Sequence, residues 1–231
     1  MSFEDRPLTL IVGPRACGKS TLAGVLRLIT DKDSSVLVHI ETSHLISMHM
    51  EKGTNIGIQL LAHQQSMQNG HVMQVHDVIV QMIMESAMTI WQELGTKQIV
   101  VTGTPRHPDQ SNKIVATLGK NRVRVVHIQQ DKSQTTRGVL HRQKETGNTR
   151  TDETDHAIEV AWQEYNDMIL PAVNIFNGEA LHIHRLDPMK KRVEQVLHHM
   201  KMPDTCRAKI ISRLNTRDHP AAKRIAELDI N

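Results

Sequence analysis

The stretch Gly13-Pro14-Arg15-Ala16-Cys17-Gly18-Lys19-Ser20, followed by Thr21, decides the fold of this chain. The preceding run from Leu8 to Val12 is short, apolar and rich in branched residues, which predicts a buried strand. After the stretch, apolar residues recur at helical spacing from Leu22 to Ile29. The sequence therefore predicts a buried strand, a tight glycine loop and a helix in direct succession.

The glycine loop matches the pattern G-x-x-x-x-G-K-[S/T] at every required position. Glycines let backbone N–H groups curl around a phosphate, and the start of the helix adds partial positive charge. Lys19 can then bridge the outer phosphates of a nucleoside triphosphate, and the Ser20 hydroxyl can reach a bound Mg²⁺. The residues expected to hold the nucleotide are Gly13, Arg15, Ala16, Cys17, Gly18, Lys19, Ser20 and Thr21.

The composition narrows the class of protein. A chain of 231 residues suits one domain with additions and can bury a sizeable core. Its formal net charge of +3 is spread along the sequence, and no dense basic run or aromatic platform predicts nucleic-acid binding. No apolar run approaches the ~18 residues that cross a membrane. Residues 1–7 leave no room for a signal peptide, and Cys17 and Cys206 are isolated, so we expect a cytoplasmic protein.

Beyond the loop, strands alternate with helices, which predicts a parallel sheet covered by helices on both faces. A helix capped by Asp131 is expected to end near Gly147, and one that starts at Thr151 or Asp152 is expected to kink at Pro171. The further strands are predicted at 35–40, 98–101, 122–128 and 181–186, and the further helices at 44–50, 57–67, 74–94, 110–118 and 188–201.

Residues 203–231 lie outside this alternation. Asp204 is expected to cap one helix, and Pro220 to begin another. Their apolar residues predict packing either on the body of the chain or on a second subunit, and the sequence leaves both open. We accordingly expect a kinase-sized domain at 1–201 and a helical extension at 202–231, with either a monomer or a homo-oligomer formed through the extension.

With these motifs in place, the chain resembles the adenylate kinase family of nucleoside monophosphate kinases over about residues 8–200. The segment Gly103-Thr104-Pro105-Arg106, with Gln110 four residues on, matches the family signature G-[F/Y]-P-R-x-x-x-Q except at Thr104. Residues 53–57 and 70–82 look like parts of the family's acceptor-binding insertion, expected here at 43–73. Arg137-Gly138 and Arg150-Thr151-Asp152-Glu153 resemble the arginine sites that flank a short lid at 138–149.

The resemblance implies a P-loop NTPase three-layer α/β sandwich with a five-stranded parallel sheet in the order 2-3-1-4-5. It implies ATP and Mg²⁺ as cofactors, with Ser20 at the metal, and a nucleoside monophosphate as acceptor, AMP first. The implied catalytic residues are Lys19, Arg106, Arg137 and Arg150. The implied substrate-binding residues are Thr42, Ser47, Met73, Gly103, Arg106, Gln110 and Asp152.

Three positions depart from the family pattern. Ser47 stands where an acceptor-binding arginine is usual, Thr102 replaces an aspartate that helps to hold Mg²⁺, and Ala161 replaces a lid arginine. Arginine contacts to a transferring phosphoryl group can be worth orders of magnitude in rate. Two alternatives therefore stay open: a nucleotide-binding protein with weak or no kinase turnover, and a P-loop kinase of a small non-nucleotide metabolite.

The fifteen histidines raise a separate hypothesis of metal or substrate binding. His182 and His184 lie two apart on a predicted strand, so they are expected to face one side as a ligand pair. His44 and His71 fall in the expected insertion, where they are hypothesised to contact the substrate. The sequence shows no Cys or carboxylate cluster that would complete a metal site.

Overall fold

A computed structural model describes residues 6–30, 36–68, 75–95, 98–146, 155–176, 178–216 and 219–230. Its sheet has five strands, all paired in parallel, in the order β2-β3-β1-β4-β5. The expected fold class is thus confirmed. The strands are β1 (Leu8–Val12), β2 (Leu37–Glu41), β3 (Gln98–Thr102), β4 (Val123–Gln129) and β5 (Ala180–His184).

The described helices follow the predicted order, with boundaries that differ by a few residues. The helices up to the end of β4 are α1 (Lys19–Thr30), α2 (Thr42–Glu51), α3 (Asn55–Gln68), α4 (His76–Glu93) and α5 (Pro108–Leu118). Those after β4 are α6 (Lys132–Thr146), α7 (Asp155–Glu164), α8 (Leu170–Asn174), α9 (Met189–His199), α10 (Asp204–Asn215) and α11 (Pro220–Ile230).

Two apolar layers cover the two faces of the sheet, because side chains alternate between faces along each strand. In β1, Ile11 joins the layer beneath α1 and α9, whereas Leu10 and Val12 join the layer beneath α4 and α5. All five residues of β1 are buried. A strand buried on both faces explains why four of its five residues are apolar, with only Thr9 polar, rather than alternating with polar residues.

Local polar contacts set several of the helix boundaries. Asp131 caps α6 as predicted: its Oδ1 accepts a hydrogen bond from the backbone N–H of Gln134 at 2.7 Å. Asp204 does not cap α10, which is a correction. Pro203 occupies the cap position, and Asp204 lies in the first helical turn, where its carboxylate pairs with Arg207 at 2.5 Å. Strand β5 ends at His184, two residues earlier than predicted, because Leu186 N–H turns back to His184 Nδ1.

The helix predicted to reach Phe176 is interrupted rather than regular. The structure has α7, then one wide π-helical turn over Tyr165–Ile169, then α8 with Pro171 in its first turn. The wide turn therefore precedes the proline that we expected to kink the helix. The predicted helix start at Thr151 or Asp152 lies outside the described residues.

The two C-terminal helices pack on the body of the same chain. Ile210, Leu214, Ala221 and Ile225 are buried in the layer formed with α1 and α9. Arg213 adds a hydrogen bond from its Nη1 to the carbonyl of Ile29 at 2.6 Å. Of the two packings that the sequence left open, the structure shows the one on the chain's own body. Within the described part of the chain, every helix is too short or too polar to cross a membrane.

Candidate active site

The predicted site residues gather at one edge of the sheet, because the carboxyl ends of parallel strands all point the same way. The glycine loop follows β1, Glu41 ends β2, and Gly103 to Gln110 follow β3. On the other side of β1, Gln130 follows β4 and Arg185 follows β5. The predicted residues that follow β1 and β3 thus lie at the same edge as Glu41, Gln130 and Arg185, which were not among the predicted site residues.

The loop geometry requires its glycines. Gly13 has a φ of +152°, and a Cβ there would lie 2.5 Å from the Ile128 carbonyl oxygen and 2.8 Å from Cys17 Sγ. Gly18 has a φ of +92°, which L side chains rarely adopt. Ala16 also has a positive φ, of 55°, so the loop turns sharply at three points. Such a turn aims successive N–H groups inward, which suits an anion.

Lys19 lies folded across the glycine loop. Its Nζ donates to the carbonyl of Gly13 at 3.0 Å and to that of Pro14 at 2.7 Å. Both partners are neutral, whereas a phosphate oxygen would give a charge-assisted contact of roughly twice the strength. The ammonium group is therefore placed where it can move from the carbonyls to a phosphate.

Ser20 has an acidic neighbour that sequence reasoning missed. The Ser20 hydroxyl donates to Glu41 Oε1 at 3.4 Å, and the Ser43 hydroxyl donates to the same oxygen at 3.3 Å. Glu41 is the last residue of β2 and lies opposite Thr102, the last residue of β3, in the β2–β3 register. Thr102 is the position at which the sequence has a threonine in place of the family's usual aspartate. Hydroxyl and carboxylate oxygens are the ligands that Mg²⁺ prefers, so Ser20 and Glu41 fit a magnesium ion. In the sequence, Glu41 could have been recognised as a site residue because it is an acidic residue directly after a predicted strand.

The loop after β3 is held by its own predicted site residues. Gln110 is buried, and its Oε1 accepts from the Arg106 backbone N–H at 2.7 Å. The Arg106 side chain is exposed, and its Nε donates to the Gly103 carbonyl at 3.1 Å. The guanidinium thus faces solvent while the backbone beneath it is anchored. Gln110 positions Arg106, and its amide oxygen is engaged in that contact.

A buried group of threonines joins β2 to β3. The Thr42 hydroxyl donates to the Thr102 carbonyl at 2.8 Å and lies 3.1 Å from the Thr104 hydroxyl. Thr102 itself meets His39 Nε2 at 2.9 Å. Gly103 packs against this group, since a Cβ there would lie 3.3 Å from Thr42 Cβ. Thr42 and Gly103 therefore lie next to the Arg106 loop, with the Thr42 hydroxyl used inside the protein.

The remaining predicted residues are spread more widely. Ser47 is exposed on α2, and Arg137 is exposed on α6, where its Nη2 lies 3.5 Å from Ser133 Oγ. Thr21 is half-buried in the first turn of α1. Their roles stay predictions. Met73, Arg150 and Asp152 lie outside the described residues, as do His71 and the last three residues of the expected lid, 147–149. The rest of the expected lid, residues 138–146, belongs to α6.

Arg185 and Gln130 brace the glycine loop from β5 and β4, and sequence reasoning missed both. Arg185 Nη1 donates to the Ala16 carbonyl and, at 3.2 Å, to Gln130 Oε1. Gln130 Nε2 donates in turn to the Arg15 carbonyl at 2.8 Å. Gly138 of α6 allows this arrangement, because a Cβ there would lie 2.6 Å from Arg185 Nη1. No signal in the sequence pointed to Arg185, because the last strand was predicted to extend to residue 186.

The expected His182–His184 ligand pair is not the pairing that the structure shows. His182 Nδ1 lies 3.1 Å from His127 Nδ1 on the neighbouring strand, whereas His184 Nδ1 accepts from the Leu186 backbone. His127 is buried, and its Nε2 lies 2.8 Å from the Tyr165 hydroxyl. Burial, followed by the nearby His182, lowers the pKa of His127 to about 4. Burial raises the pKa of Tyr165 to about 12, so both side chains are neutral at pH 7.

Strand order, glycine loop and the flanking helices agree with one known architecture. The fold is a P-loop three-layer α/β sandwich. No protein-family model matches the chain, and no curated protein is significantly similar to it. A gluconokinase from Sinorhizobium meliloti has a similar solved structure, with a TM-score of 0.49 and 13% identity, over 93% of this chain and 99% of the gluconokinase.

Proposed function

We propose that this protein is an ATP-dependent phosphotransferase that acts on a small anionic acceptor, with a nucleoside monophosphate, AMP first, as the acceptor class. The observation that carries the proposal is the convergence of Lys19, the Ser20–Glu41 pair and the exposed Arg106 guanidinium at one edge of the sheet. Lys19 would bind the donor phosphates from the glycine loop, and Arg106 would bind the acceptor from the loop after β3. Two cations on separate loops suit two anionic substrates.

The residues present can supply most of what phosphoryl transfer needs, which is positioning and neutralisation of charge. Backbone N–H groups of the glycine loop and the Lys19 ammonium would hold the outer phosphates of ATP. Ser20 and Glu41 would hold Mg²⁺, which supplies further neutralisation of the transferring group. Arg106, fixed by Gln110 through its backbone, would orient the acceptor anion. Arg185 and Gln130 would keep the glycine loop in its binding shape.

A second candidate is transfer to a hydroxyl group of a small anionic metabolite, and Glu41 favours it. A phosphate acceptor is already an anion and needs no base, whereas a hydroxyl acceptor must lose a proton during transfer. The exposed Glu41 carboxylate, 3.4 Å from Ser20 Oγ, would be a group at this edge of the sheet that can take that proton. The engagement of the Gln110 amide oxygen by the Arg106 backbone also leaves less of Gln110 for reading a base.

The identity of the product separates the two candidates. ATP and Mg²⁺ would be incubated with nucleoside monophosphates or with small hydroxy acids, and the phosphorylated product identified by phosphorus NMR. A diphosphate resonance on the acceptor supports the monophosphate kinase, and a phosphomonoester supports the hydroxyl kinase. Arg106→Gln is expected to raise the acceptor KM about tenfold or more in either case, since a charge-assisted contact to the anion is lost. The same KM in wild type and Arg106→Gln would contradict the assigned acceptor side.

A further inference from the structure

Two histidines and an aspartate from separate parts of the chain meet beside the acceptor loop. His76 begins α4, His107 occupies the cap position before α5, and Asp109 lies in the first turn of α5. One ligand atom from each residue lies within 4.8 Å of the other two. The sequence separates His76 from His107 by 31 positions, which is why no spacing motif revealed the cluster.

The contacts inside this cluster are close. The rings of His76 and His107 stack with centroids 4.1 Å apart and planes 8° from parallel. Asp109 Oδ2 lies 3.2 Å from His107 Nδ1. His107 Nδ1 also accepts a hydrogen bond from the Asp109 backbone N–H at 3.2 Å, so this ring nitrogen carries a lone pair on the side of Asp109.

His76 also has a buried ring nitrogen that needs a partner. Its Nδ1 is shielded from solvent and meets no hydrogen-bond partner among the residues that the structure describes. The Nδ1 of His63, on α3, is in the same condition. His63, His107, Asp77 and Asp109 are the charged or titratable groups that face His76. Unpartnered buried polar atoms usually indicate an unseen water or ion.

We propose that His76, His107 and Asp109 form a site for a divalent transition metal, with Zn²⁺ as the best fit. Two imidazoles and one carboxylate are a donor set that zinc takes, with an open fourth position for water or an anion. Tetrahedral zinc bonds of 2.0–2.2 Å hold ligand atoms about 3.4 Å apart, so the cluster must contract by about 1.4 Å or less. The exposed Asp109 side chain can supply part of that movement. Because imidazole lone pairs lie in the ring plane, one of the two stacked rings must also turn about its side-chain bonds to face the ion.

A metal at this site would act on the acceptor side of the proposed kinase. His107 directly follows Arg106, and His76 is the first residue of α4. The ion would therefore hold the Arg106 loop against the start of α4. The Asp77–Lys113 ion pair, at 3.5 Å, already joins the same two helices: Asp77 directly follows His76, and Lys113 lies one turn after Asp109. The metal site stands on the cluster itself and does not depend on the proposed phosphoryl transfer.

Titration of the metal-stripped full-length protein with Zn²⁺, in competition with a chromophoric chelator, tests the site. We expect one Zn²⁺ per chain, and an affinity that falls about tenfold or more in His76→Ala and in His107→Asn. The asparagine oxygen can still accept from the Asp109 backbone N–H, so His107→Asn keeps the helix cap. His156→Ala, an exposed histidine on α7, is the matched control and should bind Zn²⁺ like the wild type.

Thermal unfolding gives a second readout that does not require activity. Zn²⁺ should raise the Tm of the wild type and of His156→Ala, and at the same Zn²⁺ concentration should raise the Tm of His107→Asn by less, because stabilisation by a ligand depends on its affinity for the folded state. Asp109→Asn should show an intermediate loss of affinity with an unchanged metal-free Tm. Equal zinc affinity in the wild type and His107→Asn, or no stoichiometric binding in the wild type, would overturn the proposal.

Discussion

At the residue scale, the site depends on side chains whose roles follow from neighbours distant in sequence. Glu41 lies next to Ser20 only because β2 ends at the same edge of the sheet as the glycine loop. Arg185 reaches Ala16 across the width of two strands. Such pairs cannot be found from spacing. The sequence pointed to Lys19, Ser20 and Arg106 because their motifs are local.

Glu41→Gln tests the proposed magnesium ligand. The amide keeps the size of the side chain and can still contact Ser20, but it lacks the negative charge that favours Mg²⁺. The Mg²⁺ concentration for half-maximal ATP binding should rise about tenfold, with little change in nucleotide binding without metal. Titration calorimetry at several Mg²⁺ concentrations measures both. Glu51→Gln, at an exposed position on α2, is the control. The same Mg²⁺ concentration for half-maximal ATP binding in Glu41→Gln and Glu51→Gln would contradict the assignment.

His127 should make folding stability depend on pH. Its pKa falls from the ordinary 6.5 to about 4 in the folded state, because the ring is buried and, to a lesser extent, because it lies beside His182. Between pH 6.5 and 4 the unfolded chain therefore binds the proton that the folded chain does not. The contribution of neutral His127 to the free energy of unfolding is fully present above pH 6.5. It decreases as the pH falls, by about 3 kcal/mol at pH 4.

Chemical denaturation from pH 4 to pH 7.5 checks this dependence. His127→Gln should remove most of that slope, because its amide does not titrate, although its free energy of unfolding at pH 7 is expected to be lower than that of the wild type. His156→Gln should keep the full slope. A wild-type slope that survives in His127→Gln would show that other groups cause it.

At the scale of elements, the alternation of strands and helices was predictable from hydrophobic periodicity, and the breaks in it were not. The π-helical turn at Tyr165–Ile169 lies in a segment with an unbroken helical pattern. Tertiary contacts explain the break: the turn carries Tyr165, whose hydroxyl meets the buried His127 on β4. The end of β5 likewise depends on a backbone contact to His184 that no periodicity encodes.

Alanine substitutions at Gly13, in the glycine loop, and at Gly24, in α1, are expected to change the free energy of unfolding in opposite directions. Gly13→Ala should lower the free energy of unfolding by about 2 kcal/mol or more, because a Cβ would lie 2.5 Å from the Ile128 carbonyl oxygen at an unfavourable φ. Gly24→Ala, in α1, has nothing within 4 Å of the added Cβ. It should raise stability by up to about 1 kcal/mol through helix propensity. Urea denaturation compares the two, and equal effects would contradict the loop geometry.

The C-terminal helices should contribute to stability as part of the core. Ile210 is 4% exposed, in the layer with α1 and α9. Ile210→Ala should therefore lower the free energy of unfolding by about 2–4 kcal/mol, through lost apolar burial and the cavity left behind. Leu186→Ala is the control, since that side chain is 67% exposed and should change stability by less than about 0.5 kcal/mol. A loss below about 1 kcal/mol for Ile210→Ala would show that α10 contributes little.

At the scale of the whole molecule, sheet order and layer arrangement agree with what the resemblance implied. The site was recovered in part. The glycine loop and Arg106 lie at the expected edge, whereas Gln110 and the Thr42 hydroxyl are engaged inside the protein. The cluster of His76, His107 and Asp109 appeared only in three dimensions, since its members meet through the packing of α4 against α5. Periodicity predicts which faces are buried but not which distant side chains meet.

The central claim is that the glycine loop holds ATP for phosphoryl transfer. The most direct test is ADP formation from ATP and Mg²⁺ with AMP, GMP, CMP, UMP and small hydroxy acids, in the wild type, Lys19→Met and Lys209→Met. Lys209 is exposed on α10 and serves as the matched control. The account predicts acceptor-dependent ADP formation that Lys19→Met lowers by orders of magnitude and Lys209→Met leaves unchanged. Acceptor-dependent turnover that is equal in Lys19→Met, or none with any acceptor while ATP still binds, would contradict it.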